Sequence, residues 1–221
     1  MLLVTVHLVL GSLLNSEFFV PHLSTSPTVA ILRGLKVEET AQRAEQCWDQ
    51  GIRLVEVPLQ SEQAFHALHA AAQSANGTDR VIGAGTICTP ADVEQAKEAG
   101  AQFLVSPGFF PASIERAREL GIPYLPGVAT PTEIYGALSM SLDVQKLFPA
   151  DMVGPSALKT LRGPFPTVRF IAVGGITPLN ADEFLHAGAL GIGVGNALAE
   201  PAALGFFAQL NSTPTSKKAE K

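Results

Sequence analysis

Eight short runs rich in β-branched residues recur from residue 28 onward, each followed by a stretch of helical character. They read TVAILR, RLVEVPL, RVIGAG, QFLVS, IPYLPG, DVQKLF, VRFIAVGG and ALGIGVG. Strict strand–helix alternation implies a parallel sheet, because each strand must be re-entered from the same end through a crossover. Eight such units close a ring, so the expected architecture is an α/β fold of the (β/α)8 TIM-barrel type. With 221 residues, 47% of them hydrophobic, the chain has the apolar surface for one such domain. The units share architecture and not sequence, which disfavours a solenoid of repeats.

Helices are expected over 37–50, 62–75, 90–99, 111–120, 131–140, 155–162, 178–187 and 200–210. Thr89-Pro90, Thr130-Pro131 and Thr177-Pro178 each set a capping residue before a first-turn proline. Gly100, Gly121 and Gly188 stand where helices end. The expected organisation is an N-terminal extension over 1–27, the barrel over 28–211 and a polar tail over 212–221. The opening MLLVTVHLVLGSLL lacks the basic flank and cleavage site of a secretory signal, and its uninterrupted run is short for a membrane span. It reads as an extension packed on the domain or as an upstream start, with a signal anchor as the remaining alternative.

A net charge of −5 with scattered basic residues leaves no electrostatic footprint for nucleic acid or an anionic membrane. Two cysteines, Cys47 and Cys88, lack CxxC spacing, which fits a reduced, cytoplasmic protein.

In a barrel of this type the chemistry sits at the C-terminal ends of the strands. Four polar residues fall there: Arg33 in AILRG, Glu56 in LVEVPLQ, Thr86 in GAGT and Lys146 in QKLFPA. A lysine and a glutamate inside apolar strands need partners. Desolvation and a nearby cation would free the Lys146 amine to attack a carbonyl; otherwise it stays charged and pairs with Glu56 or an anionic ligand. AVGGITP and GIGVGNAL end the last two strands, and Gly174, Gly175, Gly195 and Asn196 there could hold a phosphate beside a helix N-terminus. No acidic ribose ligand follows GIGVG, which disfavours a dinucleotide site. His66 and His69 share a helix face without a third ligand and read as surface residues, so no metal is expected. Cys88 reads as a packed thiol.

These motifs, AILRG, GIRLVEVPL, IGAGT, VSPG, LPGVATPTE, KLFPA, GPF and VGGITP in that order, resemble the class I 2-keto-3-deoxy-6-phosphogluconate / 4-hydroxy-2-oxoglutarate aldolases. The resemblance runs from about residue 28 to 211. It implies a lyase that needs no cofactor, with Lys146 as the Schiff-base lysine, Glu56 as the proton shuttle and Thr86 on the pyruvyl carboxylate. It also implies a homotrimer acting on a phosphorylated sugar acid and pyruvate. One departure stands out. The gluconate-type enzymes carry EVTLR where this chain has EVPLQ, so Gln60 replaces a carboxylate-binding arginine and Arg33 becomes the candidate guanidinium. The galactonate branch shares that shift. Alternatives are a 4-hydroxy-2-oxoglutarate aldolase, a sugar-phosphate isomerase or epimerase with Glu56 as base, and a non-catalytic binding barrel.

Overall fold

The computed structural model describes residues 15–212; the apolar stretch 1–14 and the tail 213–221 lie outside the described residues. Helix α1 spans residues 15–25. The chain then alternates β1 (Thr28–Ile31), α2 (Val37–Asp49), β2 (Leu54–Pro58), α3 (Glu62–Ala75), β3 (Val81–Gly85), α4 (Pro90–Glu98), β4 (Phe103–Val105) and α5 (Pro111–Glu119). The second half runs β5 (Tyr124–Leu125), β6 (Gly127–Val128), α6 (Pro131–Ser139), β7 (Val144–Leu147), α7 (Ala150–Val153), α8 (Pro155–Arg162), β8 (Arg169–Val173), α9 (Ala181–His186), β9 (Gly191–Val194) and α10 (Pro201–Ser212).

All neighbouring strands are parallel, in the order β5-β4-β3-β2-β1-β9-β8-β7-β6. The two ends of that order, β5 and β6, are halves of one strand interrupted at Pro126. Proline has no N–H to give to a ladder, yet its carbonyl accepts from the Lys146 N–H at 2.9 Å. Ser106 N–H meets the Leu125 carbonyl at 3.1 Å on the other side. The broken strand therefore joins both edges, and the result is an eight-membered (β/α)8 ring in one domain.

Side chains alternate between two apolar layers. Ala30, Leu32, Val55 and Val57 face the helices. Val29, Ile31, Leu54, Phe103, Val144, Ile171 and Val173 fill the lumen. Helix α1 closes the N-terminal end of the lumen: Phe19 and Leu23 are buried among those residues, and the Phe19 and Phe103 rings meet edge to face at 5.8 Å. Asn15 fixes the entry of this helix. Its amide donates to the Tyr124 carbonyl at 2.7 Å and its carbonyl accepts from the Val144 N–H at 2.8 Å.

The Thr-Pro pairs behave in two ways. Thr89 and Thr130 cap α4 and α6 with reciprocal bonds to Asp92 and Glu133. Thr177-Pro178 instead forms a turn, held by the Thr177 N–H donating to the Asn180 side chain at 2.9 Å. Helix α9 starts only at Ala181, three residues later than the expected 178. The segment after GIGVG is likewise a single 3-10 turn, Asn196–Ala199, and not an α-helix. The two glycine loops therefore lack the long helix N-termini expected beside them. No helix among the described residues is long and apolar enough to cross a membrane.

Candidate active site

Period-two alternation places the two central side chains. Glu56 is two residues after the lumen-facing Leu54, and Lys146 is two after the lumen-facing Val144. Both therefore point into the barrel, above its apolar floor. Glu56 pairs in register with Ile31 and Gly83, and Lys146 with Gly127 and Ile171. Strands β2 and β7 lie half a ring apart, so the carboxylate and the amine face each other across the lumen.

Both groups are buried, Glu56 at 3% exposure and Lys146 at 6%. Burial lowers the Lys146 pKa below its ordinary value; Glu56 opposes this shift, Arg33 adds to it and Cys88 opposes it. Burial likewise raises the Glu56 carboxyl, against the pull of Lys146 and Arg33. Each group is thus biased toward its neutral form while remaining in the field of the other. No carboxylate oxygen among the described residues lies within 4.0 Å of the amine. The Phe148 ring lies 4.7 Å below Nζ instead. An amine and a carboxyl that face one lumen without pairing can act on one small carbonyl compound.

Backbone geometry makes room for these side chains. Gly83 and Gly85 follow Val81 on the lumen face of β3; the Phe103 ring occupies the first gap and the Glu56 carboxylate the second. Thr86 then adopts φ +62°, a left-handed conformation uncommon for a β-branched residue. Such strained positions collect at functional sites. Cys88, two residues on, is half-buried, and its S–H donates to the Thr86 carbonyl at 3.5 Å. Burial and Asp92 raise its pKa, and the Lys146 ammonium opposes the shift.

Arg33 lies just beyond β1, is exposed and acts electrostatically on both Lys146 and Glu56. It also lines a cavity of about 230 Å³ with Arg43, Gly195 and Asn196. The other glycine loop has a different neighbour. Gly175 has φ +68°, and a Cβ there would overlap the Asp151 carboxylate, whose backbone N–H donates to the Gly174 carbonyl at 3.1 Å. A larger cleft, about 520 Å³, includes Asp143, Arg162 and Arg169 at the N-terminal face, away from Lys146.

Of the expected residues, Lys146 and Glu56 lie within β7 and β2, Arg33 and Thr86 just past β1 and β3, and Gly174, Gly175, Gly195 and Asn196 on the loops after β8 and β9. Sequence reasoning missed Gly85, Phe148, Asp151 and Arg43. Gly85 and Phe148 carried signals, as the last glycine of GAG directly before Thr86 and as the aromatic of KLFPA two residues after Lys146; the other two are ordinary residues until folding sets them beside the site. His66 and His69 are exposed on α3, and the His69 ring meets the Gln73 side chain at 3.1 Å. Among the described residues no three His, Cys, Asp or Glu side chains form a metal-holding group.

The chain is 36% identical to a probable 2-dehydro-3-deoxy-6-phosphogalactonate aldolase of Rhizobium meliloti (strain 1021), over 79% of this chain and 82% of that protein. It is also 36% identical to the KHG/KDPG aldolase of Escherichia coli (strain K12), over 74% of this chain and 76% of that one. The crystal structure of a KDPG aldolase from Legionella pneumophila, with pyruvate captured as a covalent carbinolamine, superposes with a TM-score of 0.76 at 30% identity, covering 87% of this chain and 95% of that chain. With its residues 21–208 matched by the model for KDPG and KHG aldolases, a lyase family, the chain belongs to that family.

Proposed function

We propose that this protein is a class I aldolase that reversibly cleaves a 2-keto-3-deoxy-6-phospho sugar acid to pyruvate and glyceraldehyde 3-phosphate. The observation that carries this reading is the buried Lys146, its pKa lowered, facing Glu56 across the lumen. Neutral Lys146 attacks the C2 ketone, and loss of water with Glu56 moving the protons leaves an iminium. Glu56, directly or through one water, takes the C4 hydroxyl proton. The C3–C4 bond then breaks, its electron pair flowing into the iminium to give an enamine. The aldehyde leaves, the enamine is protonated at C3, and water releases pyruvate from Lys146. The iminium is the electron sink, so the sequence of steps calls for no metal ion.

Arg33 and Thr86 bind the carboxylate in this reading, and Gly174, Gly175, Gly195 and Asn196 bind the phosphate. The Gln60 departure favours a galactonate-type substrate, although relatives of both kinds are equally similar. We further propose a homotrimer in the cytoplasm. The exposed Tyr135, Met152 and Leu179 side chains are consistent with faces that partner subunits cover.

Incubation with pyruvate and borohydride tests the chemistry. One reduced pyruvyl adduct should map to the peptide holding Lys146; a label on Lys159, or none, rejects the mechanism. Coupled pyruvate detection with both C4 epimers and 4-hydroxy-2-oxoglutarate then ranks the substrates.

A further inference from the structure

Arg43 belongs to α2, and its sequence context, QRAEQ, is that of a solvated helix face. The fold gives it a different environment. Its side chain is half-buried and lines the 230 Å³ cavity together with Arg33 and the Gly195-Asn196 loop. Neither guanidinium makes a hydrogen bond or ion pair with any described residue. Two unpaired cations on one cavity repel each other, and an anion between them reverses the sign of that interaction. A planar guanidinium with several donors suits an oxyanion with several acceptors. The cavity has room for a phosphate and some hydration, since a water takes up about 30 Å³. Ile31, a lumen residue, also lines the cavity, which therefore lies beside the reactive lumen.

Beside Gly195 and Asn196 the cavity presents the guanidinium groups of Arg33 and Arg43, with Ile31, Leu32, Leu35, Leu198 and Ala199 completing its walls. The short 3-10 turn at Asn196–Ala199 offers no long helix dipole, so the positive charge must come from side chains.

We propose that Arg43 is a binding residue for the substrate phosphate, which sits against Gly195 and Asn196 with Arg33 set between it and the reacting carbons. This rests on the aldolase reading above and adds to it a residue that selects phosphorylated over unphosphorylated substrates. A charge-assisted contact that is partly exposed falls at the low end of its range, near tenfold. Arg43→Gln should therefore raise KM for the phosphorylated sugar acid about tenfold and weaken competitive inhibition by inorganic phosphate to a similar degree. KM for the unphosphorylated 2-keto-3-deoxy acid should move much less, so the ratio of the two KM values is the readout. Arg43→Lys, which keeps the charge and loses the fork, should recover part of the selectivity; equal loss in Lys and Gln variants with a lowered melting temperature would mark a structural role and overturn the proposal.

Asn196→Asp separates this inference from the reading beneath it, because it alters the loop and keeps the Arg43 side chain itself. If Asn196→Asp raises KM for the phosphorylated substrate and Arg43→Gln does not, the loop binds phosphate and the Arg43 assignment is wrong. If neither variant changes selectivity, the phosphate lies elsewhere and both assignments fall. A wild-type enzyme that releases no pyruvate from any of these acids removes the aldolase reading itself.

Discussion

The Glu56 carboxylate occupies the space that a side chain on Gly85 would fill: a Cβ built on Gly85 overlaps Oε1 of Glu56. Strand β3 thus gives up a lumen side chain so that strand β2 can carry an ionisable one. Gly85 has no left-handed backbone, so alanine would otherwise be tolerated there. Gly85→Ala should displace the carboxylate, lower kcat and cost about 1–3 kcal/mol as an overpacked core position. Chemical denaturation together with steady-state rates checks this; wild-type values for both would show that the carboxylate rests elsewhere.

Opposite pH shifts are expected from removing the two neighbours of Lys146. Burial lowers the lysine, Glu56 pulls it back up, and Arg33 pushes it further down. Where Glu56 is ionised in the wild type, Glu56→Gln should move the rising limb of borohydride trapping to lower pH. Arg33→Leu should move it to higher pH. Shifts of the same sign would contradict the placement of the two charges about the amine.

Glu56→Gln should also separate activity from stability. The folded-state pKa of Glu56 is raised above its ordinary 4.5, so just above pH 4.5 the folded chain binds more protons than the unfolded one. That stabilising contribution is present at low pH and is lost as pH rises through the folded pKa. Lys146 has the reverse sign, its folded pKa lying below 10.5, so its contribution to stability grows as pH rises between the folded value and 10.5. The glutamine variant should therefore lose kcat by about 10²–10⁴-fold, as for removal of a general acid–base, yet equal or exceed the wild type in melting temperature near neutrality. A variant that is both slow and unstable would assign Glu56 a structural role.

Arg33→Leu should raise KM for the sugar acid, and for pyruvate in condensation, by about tenfold, the low end for a contact to a charged group at a site open to solvent. Arg33 is exposed and has no ion-pair partner among the described residues, so stability should stay within about 0.5 kcal/mol of wild type. Gln60→Arg added to this variant should restore part of the affinity if both side chains reach one carboxylate. An unchanged KM for pyruvate would exclude Arg33 from that site.

Phe19→Ala tests how firmly α1 seals the barrel floor. The ring projects from α1, is fully buried and packs on Phe103, and its loss should cost about 3–5 kcal/mol. Cooperative unfolding with wild-type stability would show that α1 is dispensable.

Much of this architecture was legible along the chain. Eight β-branched runs became the eight members of the ring, and Thr89-Pro90 and Thr130-Pro131 open helices because a hydroxyl and a missing N–H satisfy the first turn locally. The same dipeptide at Thr177-Pro178 misled, since the Asn180 side chain takes the Thr177 N–H and makes a turn there. Lys146 was marked by its own chemistry, an ammonium in an apolar strand. The family motifs named its neighbours.

Orientation and company were settled only by the tertiary structure. A parallel strand buried on both faces is apolar at every position, so LVEVP does not say whether Glu56 faces the lumen or the helices. That follows from Leu54 sharing a layer with Phe103, a residue 49 positions away in sequence. Asp151 against Gly175, and Arg43 across a cavity from Gly195, are likewise meetings between distant segments. Local propensity and residue chemistry determine elements and candidates; which charges share a cavity depends on ring closure, a property of the whole chain.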